Sequence, residues 1–180
     1  MDLFVKTIRP RVPMYLLQGA PWSAAMGLVD SLRQLGFQDA AVAWPHDIAV
    51  SDQVLTLRTH GGVDEDGMYI ELTLASDGSE NPLPEGAQDA LSTAVENRIS
   101  GWEQDVKAGR SQAGPLADFL SELFDMTAGM GQPVRVAYPN GRIFDQGTFA
   151  GLDVWGRATI VRKNGTELEI APEQARIILN

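Results

Sequence analysis

The sequence predicts an α+β fold, a mixed sheet packed with helices followed by a small β-barrel. Three observations carry this. Apolar residues recur at three- and four-residue spacing over two long stretches, Pro21 to Leu35 and Ala87 to Lys107, the mark of helices with one buried face. Short apolar runs rich in β-branched residues lie between and before them. From Pro133 onward the texture changes to short β-type runs with two Asn-Gly dipeptides, Asn140-Gly141 and Asn164-Gly165, which favour tight hairpins. The expected division is residues 1–130 for the α/β part and 131–180 for the barrel, with the boundary near Gly131.

Along the chain, Leu3-Phe4-Val5 and Met14-Tyr15-Leu16-Leu17 read as short strands or extended segments. In the first helix Pro21 suits a first turn, Trp22, Ala25, Val29 and Leu32 share a face, and Gly36 is placed to end it. Ala40 to Ala43, Ile48-Ala49-Val50, Val54 to Leu57 and Met68 to Ala75 read as strands, with Gly61 to Gly67 as a hairpin connection and Asn81 to Gly86 as a loop. In the second helix Leu91, Val95, Ile99, Trp102 and Val106 face inward. Pro115 to Ala128 reads as a third helix, stopped by Gly129.

Composition narrows function. With 14 basic against 24 acidic residues the net charge is −10, which argues against nucleic acid and anionic membrane as partners. The chain has no cysteine, so it has no disulfide, thiol nucleophile or thiolate metal site. Lys6, Arg9, Arg11, Pro10 and Pro13 interrupt the first twenty residues, which therefore do not read as a signal peptide. No apolar run reaches the ~20 residues of a membrane span. The expected location is the cytoplasm.

The candidate site is Trp44-Pro45-His46-Asp47, where a strand meets a loop. Pro45 cannot donate to a ladder and biases Trp44 toward an extended backbone. Polar groups at the end of a core strand are often where sites are built. His46 beside Asp47 has the makings of a base and its orienting carboxylate; equally, such a tetrapeptide forms a turn with Trp44 in the core and Asp47 bonded to nearby backbone. His46 and His60 are the two histidines, without metal-ligand spacing. Asp64-Glu65-Asp66 reads as a solvated hairpin tip, since the spaced ligands of a calcium loop are lacking. Gly61-Gly62 is followed by neither the Lys-Ser/Thr nor the helix of a phosphate loop.

The order of these features resembles the biotin–protein ligases of the biotin/lipoate ligase superfamily. Leu32-Arg33-Gln34-Leu35-Gly36, a strand, and then Trp44-Pro45-His46-Asp47 are similar to that family's Lys-Trp-Pro-Asn-Asp strand and its preceding helix. Gly131-Gln132-Pro133-Val134-Arg135-Val136, then Gly147-Thr148-Phe149-Ala150-Gly151-Leu152-Asp153 and Gly156, resemble its SH3-like C-terminal domain. The resemblance implies a ligase-like α/β domain, an SH3-like barrel, and residual substrate binding at Trp44, Pro45, His46 and Asp47. If the family activity were retained, it would also imply ATP and biotin as substrates and a biotin or lipoyl carrier protein as partner.

The chain departs from the family at the positions that carry chemistry. The pentapeptide lysine is Ala43 and its Asn is His46; the lysine on the next strand falls at about Val54; the Gly-X-Gly strand falls near Glu71-Leu72-Thr73; and no Gly-Arg-Gly-Arg loop is present. The sequence begins about where the strand after that loop would start, so roughly the first half of a ligase catalytic domain is expected to be missing. Replacing a lysine beside a developing negative charge with alanine or valine removes roughly 2–4 kcal/mol of transition-state stabilisation. Lys6 and Arg58 are replacement cations by proximity in sequence alone. The expectation is a binding or assembly protein without catalytic residues of its own, working as a homodimer or with a chain that supplies the missing half. The alternative is one component of an acyl-carrier ligase or transferase completed by a separate chain. A third class, an unrelated module whose barrel binds a peptide, would be supported by a groove rimmed by exposed aromatics such as Phe149 and Trp155, and would lose that support if both were buried.

Overall fold

The computed structural model describes residues 1–78 and 81–179; Asn180, the last residue of the expected barrel, lies outside them. Strand β1 (Asp2–Ile8) leads through a 3-10 turn (Met14–Gly19) directly into helix α1 (Ala20–Gln34). Strands β2 (Ala41–Ala43), β3 (Asp47–Val50), β4 (Gln53–Asp64) and β5 (Gly67–Ala75) follow, then helices α2 (Ala87–Lys107) and α3 (Leu120–Met126). The remainder is β6 (Pro133–Ala137), β7 (Ile143–Leu152), β8 (Ala158–Val161), β9 (Glu167–Ile170) and β10 (Arg176–Leu179).

The first five strands form a sheet in the order β1-β5-β4-β3-β2, and every ladder in it is antiparallel. The mixed sheet expected from the sequence has its parallel element reduced to one bridge, Val42 with Thr127. Register explains the layers. Phe4, Leu74 and Leu57 are aligned across β1, β5 and β4, as are Val42, Ile48 and Leu55 across β2, β3 and β4, and all six are buried. Because strand side chains alternate, the intervening residues Val5, Thr73 and Arg58 form the opposite row, where Val5 and Arg58 are exposed. Helices α1 and α2 cover the inner face: Lys6, in phase with Phe4, hydrogen-bonds Ser92 at 2.8 Å and pairs with Glu96 on α2. The two helices meet closely at Gly27, where a β-carbon would stand 2.8 Å from the Ala94 carbonyl oxygen.

The C-terminal strands form a second antiparallel sheet, β10-β6-β7-β8-β9, with β9 and β10 at its two edges. The core is continuous between the sheets. Val134, Val136, Phe149, Ile160 and Ile170 belong to the same buried cluster as Trp22, Trp44 and Leu57.

Three local expectations differ from the structure. Met14 to Leu17 forms a 3-10 turn, because the Leu16 N–H bonds back to the Pro13 carbonyl at 2.9 Å. Residues 115–119 are turns, and helix begins at Leu120. The Leu116 N–H is bonded across the fold to the Val154 carbonyl at 3.1 Å, a tertiary contact that overrides helical periodicity. Strand β4 runs through Gly61-Gly62 to Asp64 and turns at Glu65-Asp66, since the Tyr69 ring lies over Gly62, where a β-carbon would meet it at 2.5 Å. Residues 64–66 are exposed, as a hairpin tip should be.

Two tryptophans tie the sheets together. The buried Trp44 Nε1–H donates to the Gly156 carbonyl at 2.9 Å. Gly156 has φ +81° and lies so close to the Trp22 ring that a β-carbon would stand 2.5 Å from it. Gly156→Ala is therefore expected to cost more than about 2 kcal/mol through clash and backbone strain. Trp44→Phe, which leaves a buried carbonyl without its donor, is expected to cost about 1–3 kcal/mol. Urea unfolding of both variants checks this; wild-type stability in either would show that the seam does not couple the sheets.

Candidate functional site

A cleft of about 630 Å³ lies between the start of α1 and the second sheet. Its lining includes Trp22, His46, Thr59, Trp155, Arg157 and Glu173, so it draws on both halves of the chain. Within the tetrapeptide singled out by the sequence, only His46 lines this cleft. Trp44 and Pro45 are buried, joined by a cis peptide bond, and Trp44 serves the seam.

Asp47 has a structural duty of its own. Strands β3 and β4 pair from Val50–Gln53 through Ile48–Leu55, and Ser51-Asp52 between them has positive φ at both residues, the conformation of a tight hairpin turn. Continuing that register would put residue 46 opposite Leu57, but the chain turns away at Pro45. The Asp47 carboxylate takes the place of the lost ladder bond: its Oδ1 accepts the Leu57 N–H at 2.9 Å. Asp47 thus bonds backbone on the next strand and not, as a local turn would have it, its own. Burial raises its pKa, and the Leu57 N–H and the Arg176 charge oppose that rise.

The His46 ring stands edge-on to Trp22, with centroids 5.8 Å apart at 86°. Its Nδ1 is buried without a hydrogen-bond partner. Desolvation, helped by the charge of Arg176, lowers the imidazole pKa to about 4, so at neutral pH the ring is uncharged. Opposite it, Asp153 organises a turn. Its Oδ1 accepts the N–H groups of Trp155 and Arg157, each at 2.9 Å, and its Oδ2 accepts from Arg157 Nε at 2.6 Å. Arg157 is also 3.7 Å from Glu169. Arg157 is therefore paired with two carboxylates, while Arg176, whose charge reaches His46, donates to the Pro172 and Ala175 carbonyls. Trp155 is 41% exposed, whereas Phe149 is fully buried, so one of the two aromatics that would support a peptide groove is at the surface and the other is in the core.

The substituted family positions lie elsewhere. Val54, Glu71 and Thr73 fall on the outer face of the first sheet, out of phase with buried Leu55, Leu72 and Leu74. Val54 is half exposed. Ala43 is in phase with them through Ala41, Ala49 and Val54. Neither replacement cation compensates: Lys6 is bound to α2 on the inner face, and Arg58 pairs with Asp2. Sequence reasoning missed Thr59, Arg157 and Arg176. The Asp153–Arg157 spacing with Gly156 between them was the one signal for the turn that presents Arg157. Among the described residues there is no cluster of three or more His, Asp or Glu placed to hold a metal, and no helix long and apolar enough to cross a membrane.

The buried imidazole makes stability pH-dependent. Between pH 6.5 and about 4 the unfolded chain takes up a proton at His46 that the folded chain refuses, so acidification through this window destabilises the fold. Asp47 acts in the opposite sense, holding its proton to higher pH when folded. His46→Gln is expected to flatten the pH dependence of unfolding free energy between pH 6.5 and 4 by about 2 kcal/mol. Parallel wild-type and variant curves would show that the ring is not desolvated. Asp47→Ala, which orphans the Leu57 N–H, is expected to cost about 1–3 kcal/mol, and Asp47→Asn clearly less.

No protein-family model matches the sequence, nor does any curated protein. Solved structures do match. Biotin protein ligase from Aquifex aeolicus superposes with a TM-score of 0.65 at 16% identity, over 98% of this chain and 81% of the ligase. The same ligase in complex with biotin and ATP gives 0.66 at 16% identity, over 98% and 77%. A biotin protein ligase-like protein of unknown function from Silicibacter sp. TM1040 gives 0.57 at 20% identity, over 94% and 77%. With this likeness along nearly its whole length, the chain has a biotin/lipoate ligase-like fold.

Proposed function

We propose that this chain is a ligase-fold protein that works by binding and assembly and does not form an acyl-adenylate on its own. Acyl-adenylate chemistry gathers negative charge at an acyl-phosphate, and the barrier falls only where cations and backbone donors already surround that charge. The observation that carries the reading is that the two positions where the family places lysines are uncharged, and that Lys6, Arg58 and Arg157 are each paired with a carboxylate. Ala43 and Val54 stand where the family places lysines, on the outer face of the first sheet. Lys6 and Arg58 are engaged with Glu96 and Asp2, and Arg157 in the cleft is flanked by Asp153 and Glu169.

A second reading is favoured by one observation, the unpartnered buried Nδ1 of His46 beside the cleft. In that reading the chain is one component of a biotin or lipoate ligase or transferase completed by a separate polypeptide, with a carrier protein as acceptor. Calorimetric titration with a non-hydrolysable biotinyl-adenylate analogue and its lipoyl counterpart separates the two. The proposal expects neither heat nor thermal stabilisation from either compound. Micromolar or tighter binding, abolished by His46→Ala, would overturn it in favour of the second reading.

A further inference from the structure

We propose that the tip of the β6–β7 hairpin, residues 138–144, is a docking surface for an acidic polypeptide segment with apolar side chains between its carboxylates. The inference rests on the assembly reading above and gives it a surface and a partner.

Backbone and turn chemistry alone close this hairpin. The Tyr138 N–H donates to the Arg142 carbonyl at 3.0 Å, and the Gly141 N–H donates to the Tyr138 carbonyl at 2.8 Å. Asn140 Oδ1 accepts the Arg142 N–H at 3.0 Å, and Gly141 takes the positive φ, +84°, that the turn requires. The large side chains of the tip therefore have no part in forming it. They also lie outside the core: Tyr138, Ile143 and Phe144 are between 37% and 45% exposed, and none belongs to the buried cluster or packs against it. The Tyr138 and Phe144 rings are stacked, with centroids 4.2 Å apart at 28°. The Arg142 guanidinium lies over the Tyr138 ring, 5.0 Å from its centroid. Grouped apolar side chains at a surface mark contact sites in a way that single scattered ones do not. Rings already held in a stack lose little freedom when a partner covers them.

Charge selects the partner. A guanidinium stacked on a ring keeps its N–H donors in its own plane, as a fork that fits a carboxylate. Among the described residues neither Arg142 nor Arg135, earlier on β6, is paired with a carboxylate, and Arg135 Nε is buried without an acceptor. The next acid along the chain, Asp145, is held by Arg162 at 2.6 Å. Residues 133–144 contain two arginines and no acidic residue. The wider balance agrees. Residues 131–180 carry six basic and five acidic side chains, against eight and nineteen in residues 1–130, so an acidic segment is repelled least at the second sheet. A carboxylate on Arg142 brings the neighbouring side chains of the same segment over Phe144 and Ile143, which apolar residues would cover best. Arginine and aromatic side chains are also the ones that anchor interfaces. A nucleic acid strand is disfavoured, because it brings a charge with every phosphate to a chain of net charge −10.

NMR titration of the nitrogen-15-labelled full chain with a short capped peptide of alternating Glu and Leu tests the proposal. Chemical-shift changes are expected at residues 138–144, with a dissociation constant of about 0.1 mM, as suits a patch well below standard interface size. Arg142→Glu and Tyr138→Ser are each expected to weaken binding about tenfold, and Arg142→Lys, which keeps the charge but loses the fork, about threefold. These positions are exposed, so the variants should keep wild-type unfolding curves. Arg11→Glu, the same charge change at an exposed arginine outside the hairpin, should leave binding unchanged. Replacing Glu by Gln, or Leu by Ser, in the peptide should weaken it about tenfold. No shift at about 2 mM peptide would overturn the acidic partner. Shifts elsewhere, or binding that Arg142→Glu leaves intact, would overturn the hairpin as the surface. Tighter binding of a short oligothymidylate at the same residues would overturn the polypeptide in favour of nucleic acid. Calorimetric binding of the adenylate analogues would count against the non-catalytic reading without touching the hairpin.

Discussion

The contact on which the rest of the structure depends is the indole of Trp44 donating to the Gly156 carbonyl inside the core, with Trp22 packed against the same glycine. It joins the end of β2, the start of α1 and a turn of the second sheet at one point. A buried hydrogen bond of this kind has little tolerance for rearrangement, because either partner alone would be left unsatisfied in an apolar setting. From it follow the turn of the chain at Pro45, the loss of the β3–β4 ladder beyond Ile48, the use of Asp47 to cap Leu57, and the placing of His46 beside Trp22.

The same arrangement fits the proposed separation of framework from chemistry. Trp44, Pro45 and Gly156 are required by packing, whatever the protein does. Cations around a reacting phosphate are required only by catalysis; positions 43 and 54 hold uncharged Ala43 and Val54, and Lys6, Arg58 and Arg157 are held in internal pairs. On the reading proposed above, a neutral imidazole with an unfilled nitrogen and an Arg157 paired with carboxylates offer little to a large developing negative charge. They make a cleft of modest polarity instead.

Legibility in the sequence followed the range of the interactions. α1 and α2 were readable because their apolar spacing persists over many residues, and Pro21 and Gly36 mark the limits of the first. Met14 to Leu17 departs from the extended segment its sequence suggests, because four apolar residues cannot distinguish a period of two from a period of three, and a single bond to Pro13 decides it. Residues 115–119 were lost to a bond with Val154, and Gly61-Gly62 stayed in the strand because Tyr69 covers it; neither partner is local. Likewise His46 was visible as a polar loop end. Thr59, Arg157 and Arg176 reach it only through the packing of distant segments, for which one sequence holds no signal. The order of weak motifs along the whole chain pointed to the ligase-like fold, where no single motif sufficed.

The most direct test of the central claim is an ATP–pyrophosphate exchange assay on the purified chain with biotin or lipoate present. Exchange reports acyl-adenylate formation without requiring an acceptor protein. If the chain does not form an acyl-adenylate on its own, there is no exchange above the rate without acid substrate. Substrate-dependent exchange by the chain alone would contradict it, and would mean that charge stabilisation comes from groups other than those the family uses.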